Sequence, residues 1–211
     1  MTLASSLQAQ SQQQDPDACA RLGGWLFRHR SWLPVPLALA LLLVPSPPSA
    51  SPALTWGGVA LVLAGELLRL WAVRHIGIVS RTRTDRLGPL VATGPFARLR
   101  NPLYVGNIAV WVGFAASAGL LWLVPPIVLL LAFEYHAIVR WEERLLEARL
   151  GDAYRTYAAR VPRWMPRLAG GQIGRGPSVP AFSWRDTLFS ERGTLIAVAL
   201  GYLLLWYKSH A

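Results

Sequence analysis

The sequence predicts an all-α integral membrane protein with about five transmembrane helices. Of its 211 residues, 53% are apolar and only 15% are charged, against about 25% charged in an average soluble domain. The apolar residues come in runs, and the ten tryptophans suit a membrane–water boundary. A net charge of +10 on so few charged residues is not the surface-wide basic character of a nucleic-acid binder, so no nucleic-acid partner is expected.

Five apolar segments are the predicted membrane helices, because a spanning helix needs about 20 mostly apolar residues. They cover residues 32–44, 53–73, 103–117, 120–150 and 193–208. Prolines 45, 47 and 48 end the first segment, and Gly119 marks a hairpin between the third and the fourth. The fourth helix is predicted to continue beyond the membrane to Leu150, where Gly151 ends it. A short cytoplasmic helix then extends to Pro162.

The predicted organisation has four parts. Residues 1–20 are polar and rich in Gln, and they read as a flexible tail because they lack the apolar stretch of a signal peptide. Residues 21–168 form the membrane core. Residues 169–192, which begin with a Gly- and Pro-rich stretch, read as a linker. Residues 193–208 form an extra C-terminal transmembrane helix.

The arginines predict the orientation of these helices. With five crossings, every basic cluster falls on one side, while the opposite loops at 45–52 and 117–119 carry no charge. The positive-inside rule makes the basic side cytoplasmic, with the N-terminus on that side. Most of these arginines serve topology and attraction to lipid headgroups.

Two stretches on the basic side combine turn residues, aromatic residues and charges. In the first, Gly94-Pro95 forces a turn, and Pro102 suits the first turn of the third helix. Arg100 and Asn101 therefore precede a helix N-terminus, whose free N–H groups favour an anion. Tyr104 lies in the first turn of that helix, and Gly106 beside it allows close approach.

The second stretch follows the fourth helix. It contains the paired carboxylates Glu142-Glu143, then Tyr154 and Tyr157, and finally Val161-Pro162-Arg163. Alone, the two glutamates would be a solvated face with weak salt pairs. The combination with the first stretch is more specific.

In order, the motifs are Gly-Pro-Phe, Arg-Asn-Pro-Leu-Tyr-x-Gly, a helical hairpin, Glu-Glu-x-x-Leu, Gly-x-x-Tyr-x-x-Tyr and Val-Pro-Arg-x-x-Pro. Over residues 60–168 this pattern resembles the isoprenylcysteine carboxyl methyltransferase family and its relatives among membrane phospholipid methyltransferases. The family often has Arg-His-Pro where this chain has Arg100-Asn101-Pro102, so Asn101 would act as an amide without a titratable ring.

The resemblance implies a methyltransferase that uses S-adenosylmethionine bound at the cytoplasmic face. Arg100 and Glu143 are the implied catalytic residues, and either Glu142 or Glu143 would contact the cofactor. The implied cofactor-binding residues are Gly94, Pro95, Arg100, Asn101, Pro102, Tyr104, Gly106, Glu142, Glu143, Tyr154, Tyr157 and Arg160. The partners would be membrane lipids and a lipophilic methyl acceptor that enters sideways from the bilayer.

The chemistry of the acceptor stays open at this stage. A carboxylate, as on a prenylated cysteine, needs a cation to orient it, and Arg suits that task. An amine must lose a proton, which a carboxylate such as Glu143 could accept. A prenylcysteine-like carboxylate is favoured, with a phospholipid amine as the alternative. Glu66 and Arg69 lie within the second helix and form either a structural pair or a lining of the acceptor tunnel.

Two other function classes compete with the methyltransferase. A membrane sterol-type reductase would use its basic residues on the 2′-phosphate of NADPH, and a non-enzymatic scaffold would use them for topology alone. The four histidines are scattered and there is a single cysteine, so no metal site of the usual spacing is expected.

Overall fold

The computed structural model describes residues 18–47, 51–77, 90–167 and 182–210, and the regular elements within these ranges are helices. We number the α-helices in chain order. They are α1 (Ala18–His29), α2 (Pro34–Leu43), α3 (Pro52–Ile76), α4 (Pro102–Ser117), α5 (Val124–Leu150), α6 (Asp152–Arg160) and α7 (Trp184–His210). Two 3₁₀ turns, Gly94–Ala97 and Leu121–Leu123, precede α4 and α5.

Each predicted membrane segment coincides with an apolar helix, so the all-α membrane fold is confirmed. Three helical segments are long and apolar enough to cross a bilayer: α3, the segment Leu121–Leu150 that contains α5, and α7. The other two, α2 and α4, have 10 and 16 residues, which is short of the usual span of about 20.

The helix bounds differ from the predicted bounds at both ends of the chain. A helix begins at Ala18, inside the predicted tail, and α7 begins at Trp184, nine residues before the predicted start. The linker prediction of 169–192 is therefore too long at its C-terminal side, while residues 168–181 lie outside the described ranges. The sequence signal for these helical turns is weak because Arg21, Arg28, Arg185 and Arg192 interrupt the apolar pattern.

Helices α3 and α4 form the tightest pair, and glycines make their close approach possible. A Cβ on Gly65 would lie 2.7 Å from the carbonyl oxygen of Gly106, and a Cβ on Gly113 would lie 2.7 Å from that of Gly58. Membrane helices often pack through small residues in this way, because lipid tails give no hydrophobic drive to associate. Gly106 is thus a residue of the helix contact.

Helix α1 also packs along α5 by close approach at a glycine. A Cβ on Gly23 would overlap the carbonyl of Ala137, and the ring of Phe27 lies 4.8 Å from that of Trp141. This contact places the arginine-rich end of α1 beside the C-terminal half of α5.

Helix α7 is attached to the bundle at three levels. Near its N-terminus, Glu191 forms an ion pair with Arg69 of α3. In its middle, the hydroxyls of Tyr202 and Ser117 lie 3.1 Å apart, and near its end the Lys208 ammonium donates to the carbonyl of Leu41 at 2.7 Å. Its other face is exposed and apolar, as expected of a helix in contact with lipid.

Candidate functional site

The first candidate stretch enters α4 through the 3₁₀ turn Gly94–Ala97. Gly94 has a φ of 59°, in the left-handed region that favours glycine. A Cβ there would overlap the imidazole of His75. The amides of Arg98 and Leu99 both donate to the carbonyl of Pro95 at 3.0 Å, which fixes the direction of the chain just before Arg100.

Hydrogen bonds join this stretch to the second one. The Arg100 amide donates to the carbonyl of Pro162 at 2.9 Å, and the Arg167 amide donates to the carbonyl of Arg98 at 3.0 Å. The Asn101 side chain donates to the carbonyl of Arg163 at 3.1 Å. Two segments about 60 residues apart in sequence therefore run side by side at the arginine-rich end of the bundle.

Glu143 is the charged centre of this arrangement. Its Oε1 accepts from Arg100 Nη1 at 2.7 Å and from Arg163 Nε at 3.1 Å, and its Oε2 accepts from Arg163 Nη2. The Arg100 and Glu143 side chains are only 17% and 15% exposed, so solvent screens the pair weakly. The hydrogen bonds with Glu143 raise the pKa of Arg163.

Glu142, one residue earlier on α5, faces α4. Its carboxylate accepts a hydrogen bond from the Tyr104 hydroxyl at 3.0 Å, and the ring of Tyr104 stacks on that of Tyr135 at 4.7 Å. Tyr104 is thereby held from both ends, which fixes the register of α4 against α5 at this level.

Helix α6 closes the site from the side. The Tyr157 hydroxyl donates to the carbonyl of Phe96 at 2.8 Å, which fastens α6 to the 3₁₀ turn. Tyr154 is also buried. Burial, together with the charge of Glu143, raises its pKa to about 12. Both phenols are therefore neutral hydrogen-bonding groups at physiological pH.

Most of the site residues expected from the sequence thus lie together, and two do not. Gly94, Pro95, Arg100, Asn101, Pro102, Tyr104, Glu142, Glu143, Tyr154 and Tyr157 surround the junction of α4, α5 and α6. Gly106 packs against α3 instead, where its Cβ would lie 2.7 Å from Cγ of Arg69. The Arg160 side chain is exposed.

The residues at the junction fit S-adenosylmethionine by the chemistry of their groups. Arg100 Nε is buried without a hydrogen-bond partner in the described part of the structure, so the guanidinium that holds Glu143 retains a free donor for a carboxylate. The glutamates offer acceptors for an ammonium or for ribose hydroxyls. The tyrosine hydroxyls and the arginine guanidinium provide the remaining hydrogen-bond donors for a zwitterionic nucleoside.

A large cavity of about 700 Å³ adjoins this junction inside the bundle. Its volume is typical of small-molecule sites, which span about 300–1,000 Å³. Apolar residues of α2, α4, α5 and α7 form most of its wall, and Arg30, Arg69, Tyr104, Asn107 and Glu134 are its main polar residues. Tyr104 belongs to both the junction and the cavity.

Arg69 lies at one side of the cavity, in a cluster of polar side chains between the membrane helices. It donates to Glu66 at 3.2 Å, to Thr194 at 3.1 Å, and also to Asn107 and Glu191. Glu66 and Arg69 therefore form the structural pair, and Arg69 also lines the cavity; the role of this cavity as an acceptor tunnel stays a prediction.

Sequence reasoning missed two arginines of the site. The motif that contains Arg163 does not indicate that its forked donors bind both oxygens of Glu143. The positive-inside rule accounts for Arg30 as one of the basic-side arginines, but its guanidinium also lies over the Phe27 ring at 4.1 Å and lines the cavity. Its position one residue beyond the end of α1 gives no local signal, because only the packing of α1 on α5 brings it to the site.

Two kinds of comparison relate this chain to known proteins. The phospholipid methyltransferase family model matches residues 53–153. The chain is 34% identical to the nickel-cobalt-cadmium resistance protein NccN of Alcaligenes xylosoxydans over 122 residues, which is 54% of this chain and 54% of that protein. It is 30% identical to the cobalt-zinc-cadmium resistance protein CzcN of Cupriavidus metallidurans over 153 residues, 70% of this chain and 59% of that protein.

The chain thus spans only somewhat more than half the length of these curated relatives. The family match has a definite place in the structure. It begins in the first turn of α3, includes the glycine-paired helices α3 and α4 and all of α5, and ends in the first turn of α6. Arg100, Tyr104 and the paired glutamates all lie inside it. Residues 53–153 are thus similar to the phospholipid methyltransferase family, and this match contains most of the candidate site.

Proposed function

We propose that the chain transfers a methyl group from S-adenosylmethionine to the polar head of a lipid-like acceptor. The observation that carries this proposal is the position of Tyr104. Its hydroxyl donates a hydrogen bond to Glu142 at the junction where the cofactor would bind. Its side chain also lines the cavity of about 700 Å³. A head at Tyr104 would meet the cofactor while its tail occupied the apolar cavity.

The residues at the junction would act mainly by positioning. The cofactor supplies an electrophilic methyl group on a sulfonium, and transfer is a direct displacement that depends on alignment. Glu143 fixes Arg100 and Arg163 by charge-assisted bonds, so Arg100 Nε, which has no partner among the described residues, is preset for the carboxylate of the cofactor. The Tyr157 bond to Phe96 holds α6 over the site and limits the access of water.

The favoured acceptor is a carboxylate, as on a prenylated cysteine. Arg30 supports this choice because its guanidinium borders the cavity, over the Phe27 ring and close to Glu142. It can orient an anion at the Tyr104 end of the cavity, whereas Arg69 and Arg100 are engaged by glutamates in ion pairs. For an amine acceptor, such as that of a phospholipid, Glu142 beside Tyr104 would take the proton.

We also propose that the junction faces the cytoplasm. It lies at the arginine-rich end of the helices, and the positive-inside rule assigns that end to the cytoplasm.

Calorimetric titration of the detergent-solubilised protein tests cofactor use. S-adenosylhomocysteine should bind and NADPH should not. Arg100→Gln should weaken binding of S-adenosylhomocysteine about tenfold or more, because one hydrogen bond to a charged group contributes about 1.5–3 kcal/mol. Arg155→Gln is the matched control, since Arg155 is 58% exposed and pairs with Asp152 on the outer side of α6. Folded protein that binds no S-adenosylhomocysteine would refute the proposal.

A radiolabelled transfer assay then identifies the acceptor. Labelled S-adenosylmethionine is offered with a prenylcysteine analogue or with extracted membrane lipids. Label in the prenylcysteine ester, lost in Arg30→Gln, supports the carboxylate acceptor, whereas label in a phospholipid amine assigns the alternative.

A further inference from the structure

Glu134 is a buried carboxyl group that the proposed reaction does not use. It lies on α5 and is only 7% exposed, and it is the only glutamate or aspartate among the described residues that line the cavity. No hydrogen bond or ion pair of Glu134 is found within the described ranges. Ionisable residues inside membrane spans usually face a cavity and have a functional partner.

The neighbouring cations do not serve as that partner. Arg69, on the same cavity wall, is already engaged by Glu66 and Glu191. Arg30 lies at the other polar end of the cavity, near Tyr104 and Glu142. The oxygens of Glu134 are not fully enclosed in the described part of the structure. They open to the apolar cavity, where an unpaired carboxyl group carries a desolvation cost. A bound molecule with a hydrogen-bond donor at this point would remove that cost.

The depth of Glu134 restricts which part of an acceptor could reach it. Glu134 precedes Glu142 by eight residues on one continuous helix, a separation of about 12 Å along its axis. A small acceptor head held at Glu142 and the Tyr104 hydroxyl lies about two helical turns from Glu134. The group that contacts Glu134 then belongs to the tail.

We propose that Glu134 binds a hydrogen-bond donor carried within the acceptor's tail, such as a hydroxyl or an amide N–H. The acceptor is then an amphiphile with two polar points about 12 Å apart, rather than a head on a plain hydrocarbon chain. This assignment rests on the proposed function only in taking the reacting head to lie at Tyr104. The binding itself requires no cofactor.

A binding experiment without cofactor tests the assignment. The full chain in a non-ionic detergent is titrated with octadecanoate and with octadecanoate hydroxylated at mid-chain, each in competition with a fluorescent fatty acid. The variants are Glu134→Leu and Glu134→Gln, and Glu147→Leu is the control because Glu147 is exposed at the far end of the same helix. Helical circular dichroism and the melting temperature establish that each variant is folded.

The wild type and Glu147→Leu should bind the hydroxylated chain about tenfold more tightly than the plain chain. Glu134→Leu should lose this preference and bind plain octadecanoate at least as tightly as the wild type does, because it removes an unpaired polar group. Glu134→Gln should retain part of the preference, since its amide oxygen still accepts.

Equal affinity of the wild type for both chains would mean that only water meets Glu134, and would overturn the assignment. A preference that survives in Glu134→Leu would do the same. Failure to bind either chain would remove the cavity as an acceptor site and with it this assignment. If the wild type prefers the hydroxylated chain but does not bind S-adenosylhomocysteine, the role of Glu134 is upheld and only the proposed methyl transfer is refuted.

Discussion

Removal of the Glu143 carboxylate should destabilise the protein more than any change at an exposed ion pair. Three hydrogen bonds from Arg100 and Arg163 end on this carboxylate, and the Arg100 side chain is only 17% exposed. In Glu143→Ala, two guanidiniums lose their counter-charge. Breaking a buried pair from one side costs about 3–5 kcal/mol. Because Arg163 is 32% exposed and can turn to water, we expect about 3 kcal/mol, at the low end of that range.

The matched control is Glu147→Ala, one turn further along α5. Glu147 is 48% exposed and pairs with Arg155, which is 58% exposed, so this change should cost under about 1 kcal/mol. The assay is thermal unfolding in detergent, followed by tryptophan fluorescence. Glu143→Ala should lower the melting temperature by roughly 6–12 °C and the control by under about 4 °C. Equal shifts in the two variants would refute the conclusion that the Glu143 cluster is an organising centre of the site.

Three further outcomes follow from the structure. Gly94→Ala should lower the melting temperature, because φ at this residue is 59° and the new methyl group would overlap the His75 ring. The expected cost is about 1–3 kcal/mol. The control is Gly57→Ala, whose methyl group would meet nothing within 4 Å and which should leave the melting temperature unchanged or raise it. Gly106→Val should separate α3 from α4, since even a Cβ at this position would lie 2.7 Å from Cγ of Arg69. The variant should keep its helix content and have a lower melting temperature. An unchanged melting temperature would contradict the packing argument. The pKa of Tyr154 is raised from 10 to about 12, so the stability contributed by its neutral form is fully present below pH 10 and is lost as the pH rises toward 12; Tyr154→Phe should flatten that part of the pH–melting curve, and an unaltered curve would contradict this assignment.

The helices are the part of the fold that local sequence predicts best. The apolar runs, the hairpin at Gly119 and the stop at Gly151 depend on residues close together in the chain, so α3, α4 and α5 lie within a few residues of their predicted bounds. The sequence does not predict helix α1, because Arg21 and Arg28 interrupt its apolar pattern and because its partner is α5, against which Gly23 and Gly24 pack. That is a contact between residues more than 100 positions apart.

The candidate site divides along the same line. The sequence alone selected most of the candidate residues, because motifs such as Arg100-Asn101-Pro102 and Glu142-Glu143 are local patterns. Only the tertiary structure decided what each of them contacts. It pairs Arg100 with Glu143, turns Gly106 toward α3, and brings Arg30 and α7 to the wall of the cavity. The physical reason is that ion pairs and cavities form between side chains distant in sequence, and helix packing alone sets their separation.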